Sequence, residues 1–321
     1  MLALAAVVIV ASFGIAAQQP SQLFRIGVLD FQPIAAKRVE WDSFRQGLAA
    51  LGYAEGQNML IEYYSAEGRP ERLAATAAEV VRSNVNVIVT CGTEPIQATQ
   101  RATKSIPIVM ASIGDPVGAG VVTSLARPGG NITGVSLMAT DIGTKWMELL
   151  KEILPKLVRV AVLWNPDNAS VALKVREINK AALILAVQVQ ALEAHRADDI
   201  RKSIDAAARA KSDALITTGD SLQLVHSAQI VDDAARHKIP VISEFSRFAD
   251  SGALLSYGPN HLDLYRRAAT YVDKILKGSK PADLPIEQPT RFELVINMKT
   301  AKTLGIKIPQ SILLRADKVI E

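Results

Sequence analysis

Several things are scarce in this chain, and each scarcity excludes something. There is one cysteine, Cys91, in 321 residues, so neither an intrachain disulfide nor a thiolate metal cluster can form. A single Cys at the end of an apolar strand reads as a small buried hydrophobe. Lys and Arg are spread along the chain for a formal charge of +4, without the clustered basic face that nucleic acid demands. The four histidines, His195, His226, His237 and His261, fall on or beside expected helices, without metal-ligand spacing. No G-x-S-x-G or H-E-x-x-H motif is present, and no nucleophile–base pair stands out, so an enzyme is not expected and neither is a cofactor.

No apolar run reaches the 18 or more residues of a membrane span. The longest is 1–17, MLALAAVVIVASFGIAA, uncharged and ending in small residues before Gln18-Gln19-Pro20. That is the shape of a secretory signal with cleavage after Ala17, although no basic residue precedes the apolar part. No Cys follows it, so a lipid anchor is not expected. An exported, disulfide-free chain suits a bacterial periplasm.

What the chain has in quantity is apolar residues, 49% against 21% charged, enough for a sizeable core. Its length suggests roughly two domains at about 150 residues each. Strand and helix signals alternate throughout. RIGVLD (25–30), MLIEYY (59–64), NVIVT (86–90), PIVMA (107–111) and ITGVS (132–136) read as strands. Helices are expected between them, the first carrying Trp41, Phe44, Leu48 and Leu51 on one face and the last beginning near Val117. The pattern then restarts. VRVAVLW (158–164), VQVQAL, DALITT (213–218), PVIS (240–243) and ALLSY (253–257) form a second set, with helices over about 168–185 and 198–210 and one ending at His237. Such βαβα order implies parallel sheets with helices on both faces. Asn260 is placed to cap a helix running to Leu276. KPADLPIEQP reads as an extended connector, RFELVIN (291–297) as a late strand, and a late helix and strand suggest that the chain crosses back between halves.

In open parallel sheets ligands bind at the carboxyl ends of strands, so the residues just after each strand are the candidates. After NVIVT come Gly92 and Thr93, with Gly92 permitting close backbone approach and Thr93 offering a hydroxyl or a plain N-cap. After PIVMA comes SIGDP, with Ser112 and Asp115. This glycine-rich loop lacks the Lys of a Walker A loop and the position of a dinucleotide fingerprint. It suits a small polar ligand, or is a turn that Asp115 caps. In the second half Asn165 follows VRVAVLW, Asp220 follows DALITT and Glu244 follows PVIS. A carboxylate at either of the last two positions can hold an ammonium group or cap a helix. Tyr257, where the chain crosses back, can stack on a ligand or pack in the hinge.

The runs WDSFRQGLAALGYAEGQNMLIEYYSAEGRPERL (41–73), SIGDPVGAGVVTSLARPGGNITG (112–134), VAVLWNPDN (160–168), SYGPN (256–260) and RRAATYVDKILKGSKPADLPIEQPTRFELVINMKTAKTLG (266–305) resemble the ABC transporter substrate-binding proteins of the tryptophan-binding, TrpX-like group. The resemblance covers about 24–321. It implies a type I periplasmic binding protein fold: two doubly wound parallel-sheet α/β lobes joined by a multi-strand hinge. The lobes would comprise 24–140 plus about 258–289, and 141–257 plus about 290–321, after a signal peptide at 1–17. It puts Gly92, Thr93, Ser112 and Asp115 on one cleft edge and Asn165, Asp220 and Glu244 on the other. It further implies a monomer that binds a small polar ligand, with aromatic amino acids as the assigned ligands of the group, and delivers it to an ABC permease in the inner membrane. A periplasmic sensing protein signalling to a membrane receptor is the alternative.

Overall fold

The computed structural model describes residues 23–137 and 141–321; the signal segment expected at 1–17 lies outside the described residues. The chain opens as β1 (Phe24–Asp30), α1 (Arg38–Ala50), β2 (Met59–Ser65), α2 (Leu73–Arg82), β3 (Val87–Cys91), α3 (Thr93–Ala102), β4 (Ile108–Ser112) and β5 (Ile132–Gly134). These five strands form one parallel sheet in the order β2-β1-β3-β4-β5. Alternate residues of one strand feed two cores. Val87, Val89 and Cys91 of β3 point to the layer holding Trp41, Phe44 and Leu48 of α1, while Ile88 points to the layer of Ala77 and Val80 of α2. Burial on both faces is why these strands read as continuous apolar runs.

The second set is α4 (Ile142–Ile153), β6 (Arg159–Trp164), α5 (Ala172–Ile184), β7 (Gln188–Glu193), α6 (Ala197–Arg209), β8 (Ala214–Thr217), α7 (Ser221–Val225), α8 (Ser227–Arg236), β9 (Val241–Ser243), α9 (Ser246–Asp250) and β10 (Leu255–Pro259). The chain then crosses back. Asn260 Oδ1 accepts from Asp263 N at 2.9 Å and caps α10 (His261–Leu276). This helix packs on α1 and the first sheet, with Tyr265 edge-on to Trp41 at 4.9 Å. Past α10 the connector runs beside β5, with Ser136 N donating to Glu287 O at 2.8 Å. It then returns as β11 (Phe292–Asn297), α11 (Met298–Leu304), α12 (Gln310–Leu313) and β12 (Lys318–Ile320). The second sheet has the order β12-β11-β10-β9-β8-β6-β7. The fold is thus the expected two-lobed α/β architecture with parallel sheets, except that β11 runs antiparallel to β10. A strand that re-enters a lobe directly from its neighbour, with no crossover helix, comes in from the opposite end.

Two local expectations differ from the structure. No helix begins at Val117. Asp115 Oδ1 accepts from Val117 N at 3.1 Å and Gly118 N at 2.8 Å, which closes a turn over 116–120, and the chain stays irregular up to β5. The helix ending at His237 is two helices, α7 and α8, that meet at His226.

Candidate functional site

The C-terminal ends of the two sheets face each other across a small cavity lined from both lobes, the place where open parallel sheets hold ligands. The lobes touch directly around it. Thr93 Oγ1 donates to Ser170 Oγ at 2.9 Å, Ser221 Oγ donates to Glu94 Oε2 at 3.2 Å, and Arg247 of α9 reaches Gln32, Glu40 and the carbonyl of Ala36. Glycines make this approach possible. Gly92 sits at φ +82°, and a Cβ there would lie 2.9 Å from Ser221 Oγ; one on Gly114 would lie 2.7 Å from Ser170 Oγ.

The first-lobe wall combines hydroxyls and amides with a buried charge cluster. Thr93 opens α3, whose first-turn amides and partial positive charge suit an anion. Ser112 ends β4, where the register with β3 shifts by one residue between Thr90 and Cys91. Deeper in, Lys37 Nζ donates to Cys91 Sγ and to Tyr265 OH, both at 2.9 Å, and lies 3.4 Å from Asp30 Oδ2. Asp30 also accepts from Trp41 Nε1 at 2.9 Å and Gln32 N at 3.0 Å. Burial works against the Lys37 ammonium, yet Asp30 and its other neighbours hold its pKa well above the ordinary lysine value. Burial and the Asp30 charge push the Cys91 thiol up to about 12, so it is a neutral part of the wall.

On the second-lobe wall, Lys174 of α5 donates to Thr218 O at 3.2 Å and pairs with Glu244 Oε2. Asp220 caps α7 through Oδ1, accepting from Gln223 N at 2.8 Å. Its Oδ2 is buried with no hydrogen-bond partner among the described residues. Burial raises the pKa of Asp220 and of Glu244, against the lowering effect of Lys174 on both. Lys37 is offset by Asp30 and Lys174 by Glu244, so Asp220 is the lining carboxylate left without an ion pair among the described residues.

Of the residues singled out in the sequence, Gly92, Thr93, Ser112 and Asp220 line the cavity. Four do not. Asp115 is spent on the turn it caps. Glu244 lies behind Lys174 as its counter-ion. Asn165 accepts from Asp167 N at 3.0 Å and stands beside Asp220, easing its charge. Tyr257 stacks on Phe292 at 5.8 Å in the outer core of the second lobe. Sequence reasoning passed over Asp30, Lys37, Ser170, Lys174, Phe245 and His261, all cavity-lining. Asp30 ends RIGVLD, so reading strand ends could have found it. Lys37 and Lys174 carried no such signal, because their partners lie 54 and 70 residues away.

Two α/β lobes closing over a polar cavity define a solute-binding protein of the type I periplasmic class. Residues 25–320 match the family described as ABC transporter substrate binding protein, and the chain belongs to that family of solute-binding proteins. It is 30% identical over 266 residues to the tyrosine-binding protein of Clostridioides difficile (strain R20291), covering 82% of this chain and 76% of that one. It is similar to an ABC domain in complex with L-Trp from Streptococcus pneumonia, with TM-score 0.88 and 28% identity over 93% of this chain and 100% of the other. Against a ligand-free, open substrate-binding protein with adhesive properties from Clostridium difficile the TM-score is 0.69, at 25% identity over 93% and 99%. At comparable identity the better fit is to the ligand-bound relative, in keeping with the direct contacts between the lobes.

Proposed function

We propose that this protein is the periplasmic solute-binding component of an ABC importer, that it takes an α-amino acid with an aromatic side chain between its lobes, and that it delivers this cargo to a membrane permease. The observation that carries the reading is Asp220. It presents a buried, unpartnered carboxylate oxygen across the cavity from the hydroxyls of Thr93 and Ser112 and the start of α3. An ammonium on Asp220 and a carboxylate on the first-lobe hydroxyls and amides would give each end of a zwitterion its partner. Both must be filled, because a buried unpaired charge is costly. Phe31, Phe245, Ile113, Leu137 and Leu224 supply apolar lining for a ring, and relatives named for tyrosine and solved with L-Trp favour the aromatic class.

A ligand held by both lobes stabilises the closed arrangement, and shifting such an equilibrium from about 1:99 to 99:1 takes roughly 5.5 kcal/mol of differential binding. A permease can then tell loaded from empty by lobe geometry. The test is a thermal-shift panel of the twenty amino acids and small carboxylates, followed by calorimetry on the hits. Aromatic amino acids should raise the melting temperature; a panel in which none binds, or in which only carboxylates lacking an amine bind, would overturn the reading.

A further inference from the structure

His261, the first residue of α10, is half-buried where the cavity meets the crossing between lobes. It lines the cavity, and its Nε2 has no hydrogen-bond partner among the described residues. Phe245 holds the ring edge-on at 4.4 Å and 78°, and Tyr265 lies behind it at 6.5 Å. Nothing in the account of ammonium and carboxylate recognition uses this nitrogen. A buried polar atom without a partner costs about 1–3 kcal/mol, and this one belongs to a residue that lines the cavity.

We infer that His261 is the specificity-determining residue of the site, whose Nε2 meets a hydroxyl on the ligand's aromatic ring, so that the cargo is a phenolic amino acid in preference to its unsubstituted counterpart. The inference rests on the amino-acid reading above and names the side chain within it. Three points select a hydroxyl. First, the imidazole is neutral: burial, then the nearby charges of Lys37, Lys174 and Arg247, push its pKa down to about 3. Second, those three cations make the neighbourhood hostile to a second ammonium, while Lys37, Lys174 and Arg247 already have Asp30, Glu244 and Glu40 as counter-ions, which leaves little call for a second carboxylate. Third, a hydroxyl both donates and accepts, so it serves Nε2 in either tautomer. The apolar ring of Phe245 beside His261 suits the face or edge of the ligand's own ring. A site that hydrogen-bonds a substrate hydroxyl rejects the analogue without it far more strongly than an apolar slot rejects a missing methylene, because the analogue strands the buried partner.

The experiment is calorimetry of the full chain with L-tyrosine and L-phenylalanine, on the wild type and on His261→Phe, which keeps a planar ring and removes the nitrogen. Wild type should bind tyrosine at least tenfold more tightly than phenylalanine, and His261→Phe should bring the ratio near one by losing tyrosine affinity while phenylalanine binding holds or improves. Circular dichroism and the melting temperature report whether the variant folds, with His261→Leu as a second replacement, and the wild-type ratio stands independently of both. Ratios within twofold for the wild type, or unchanged in the folded variants, overturn the role of His261 and leave the amino-acid reading intact. If the wild type binds neither ligand, the role of His261 falls, and the amino-acid reading is decided separately by the thermal-shift panel above.

Discussion

Thr93 Oγ1 and Ser170 Oγ meet at 2.9 Å across the cleft, one from the first turn of α3 and the other from the short turn before α5. Ser170 is itself held in place, donating to Asn168 Oδ1 at 2.7 Å. The bond exists only while the lobes are together, so it belongs to the closed arrangement. Four predictions test this geometry and its electrostatics.

Gly114→Ala should oppose closure. Its Cβ would sit 2.7 Å from Ser170 Oγ and 3.0 Å from Ser170 Cβ, and such crowding costs about 1–3 kcal/mol. Ligand affinity should fall about tenfold or more while the melting temperature of the free protein barely moves. Adding Ser170→Gly should recover part of the loss. Calorimetry gives the affinities, and small-angle scattering should show a larger radius for the single variant at the same ligand concentration.

Asp220→Asn separates the cap from the charge. Asparagine caps as well as aspartate, so the bond from Gln223 N survives. Burial raises the Asp220 pKa, meaning that ionised Asp220 detracts from folding stability. The protonated form contributes stability below the ordinary value of 3.8, and that contribution is lost as pH rises through the raised value. The variant should therefore be as stable as wild type at neutral pH, or more so, yet bind an amine-bearing ligand tenfold or more weakly. In wild type the same affinity should drop as pH falls through the raised Asp220 value. Unchanged affinity in calorimetry would remove Asp220 from the site.

Lys174→Met should be strongly destabilising. It leaves Glu244 buried and without its counter-ion, a situation that costs about 3–5 kcal/mol. Combining it with Glu244→Gln should restore much of the stability and little of the ligand binding, because Lys174 lines the cavity. Denaturant midpoints of the two single variants and the double variant check this.

His261 predicts an acid limb. Its pKa is depressed in the fold, from 6.5 to about 3, so its contribution is fully present above pH 6.5. That contribution is lost as pH falls toward 3, because the unfolded chain takes up a proton that the native ring refuses. At roughly 1.4 kcal/mol per unit the loss amounts to a few kcal/mol. Denaturant midpoints recorded between pH 7 and 4 should decline more steeply for wild type than for His261→Phe.

The strands and most helices were legible because burial on both sheet faces writes apolar runs of four to six residues, and because caps such as Asn260 are local. Gly92, Thr93, Ser112 and Asp220 were legible for a related reason: parallel sheets put their ligands at strand ends. Asp115 and Tyr257 occupy equally good positions in the sequence, which left a ligand role and a structural one open for each; the structure shows Asp115 closing a local turn and Tyr257 stacking on Phe292. The Asp30–Lys37–Cys91–Tyr265 cluster was not legible as a cluster, although Asp30 and Cys91 each end a readable strand. It joins residues up to 228 positions apart, and a lysine on a helix looks the same in sequence whether it points to water or to a buried thiol. His261 was hidden similarly: its place at the start of α10 was readable, but the unpartnered nitrogen is a fact of the fold.

The crossings of the chain have a consequence for biogenesis. The first sheet lacks α10 until residue 276 has been made, and the second lacks β11 and β12 until residues 297 and 320. Neither core can therefore be completed on a growing chain until these late segments have been made, and truncation before β11 should leave an aggregation-prone edge at β10. A polypeptide wired this way stays unfinished, and so pliable, until its last strands are available to both lobes.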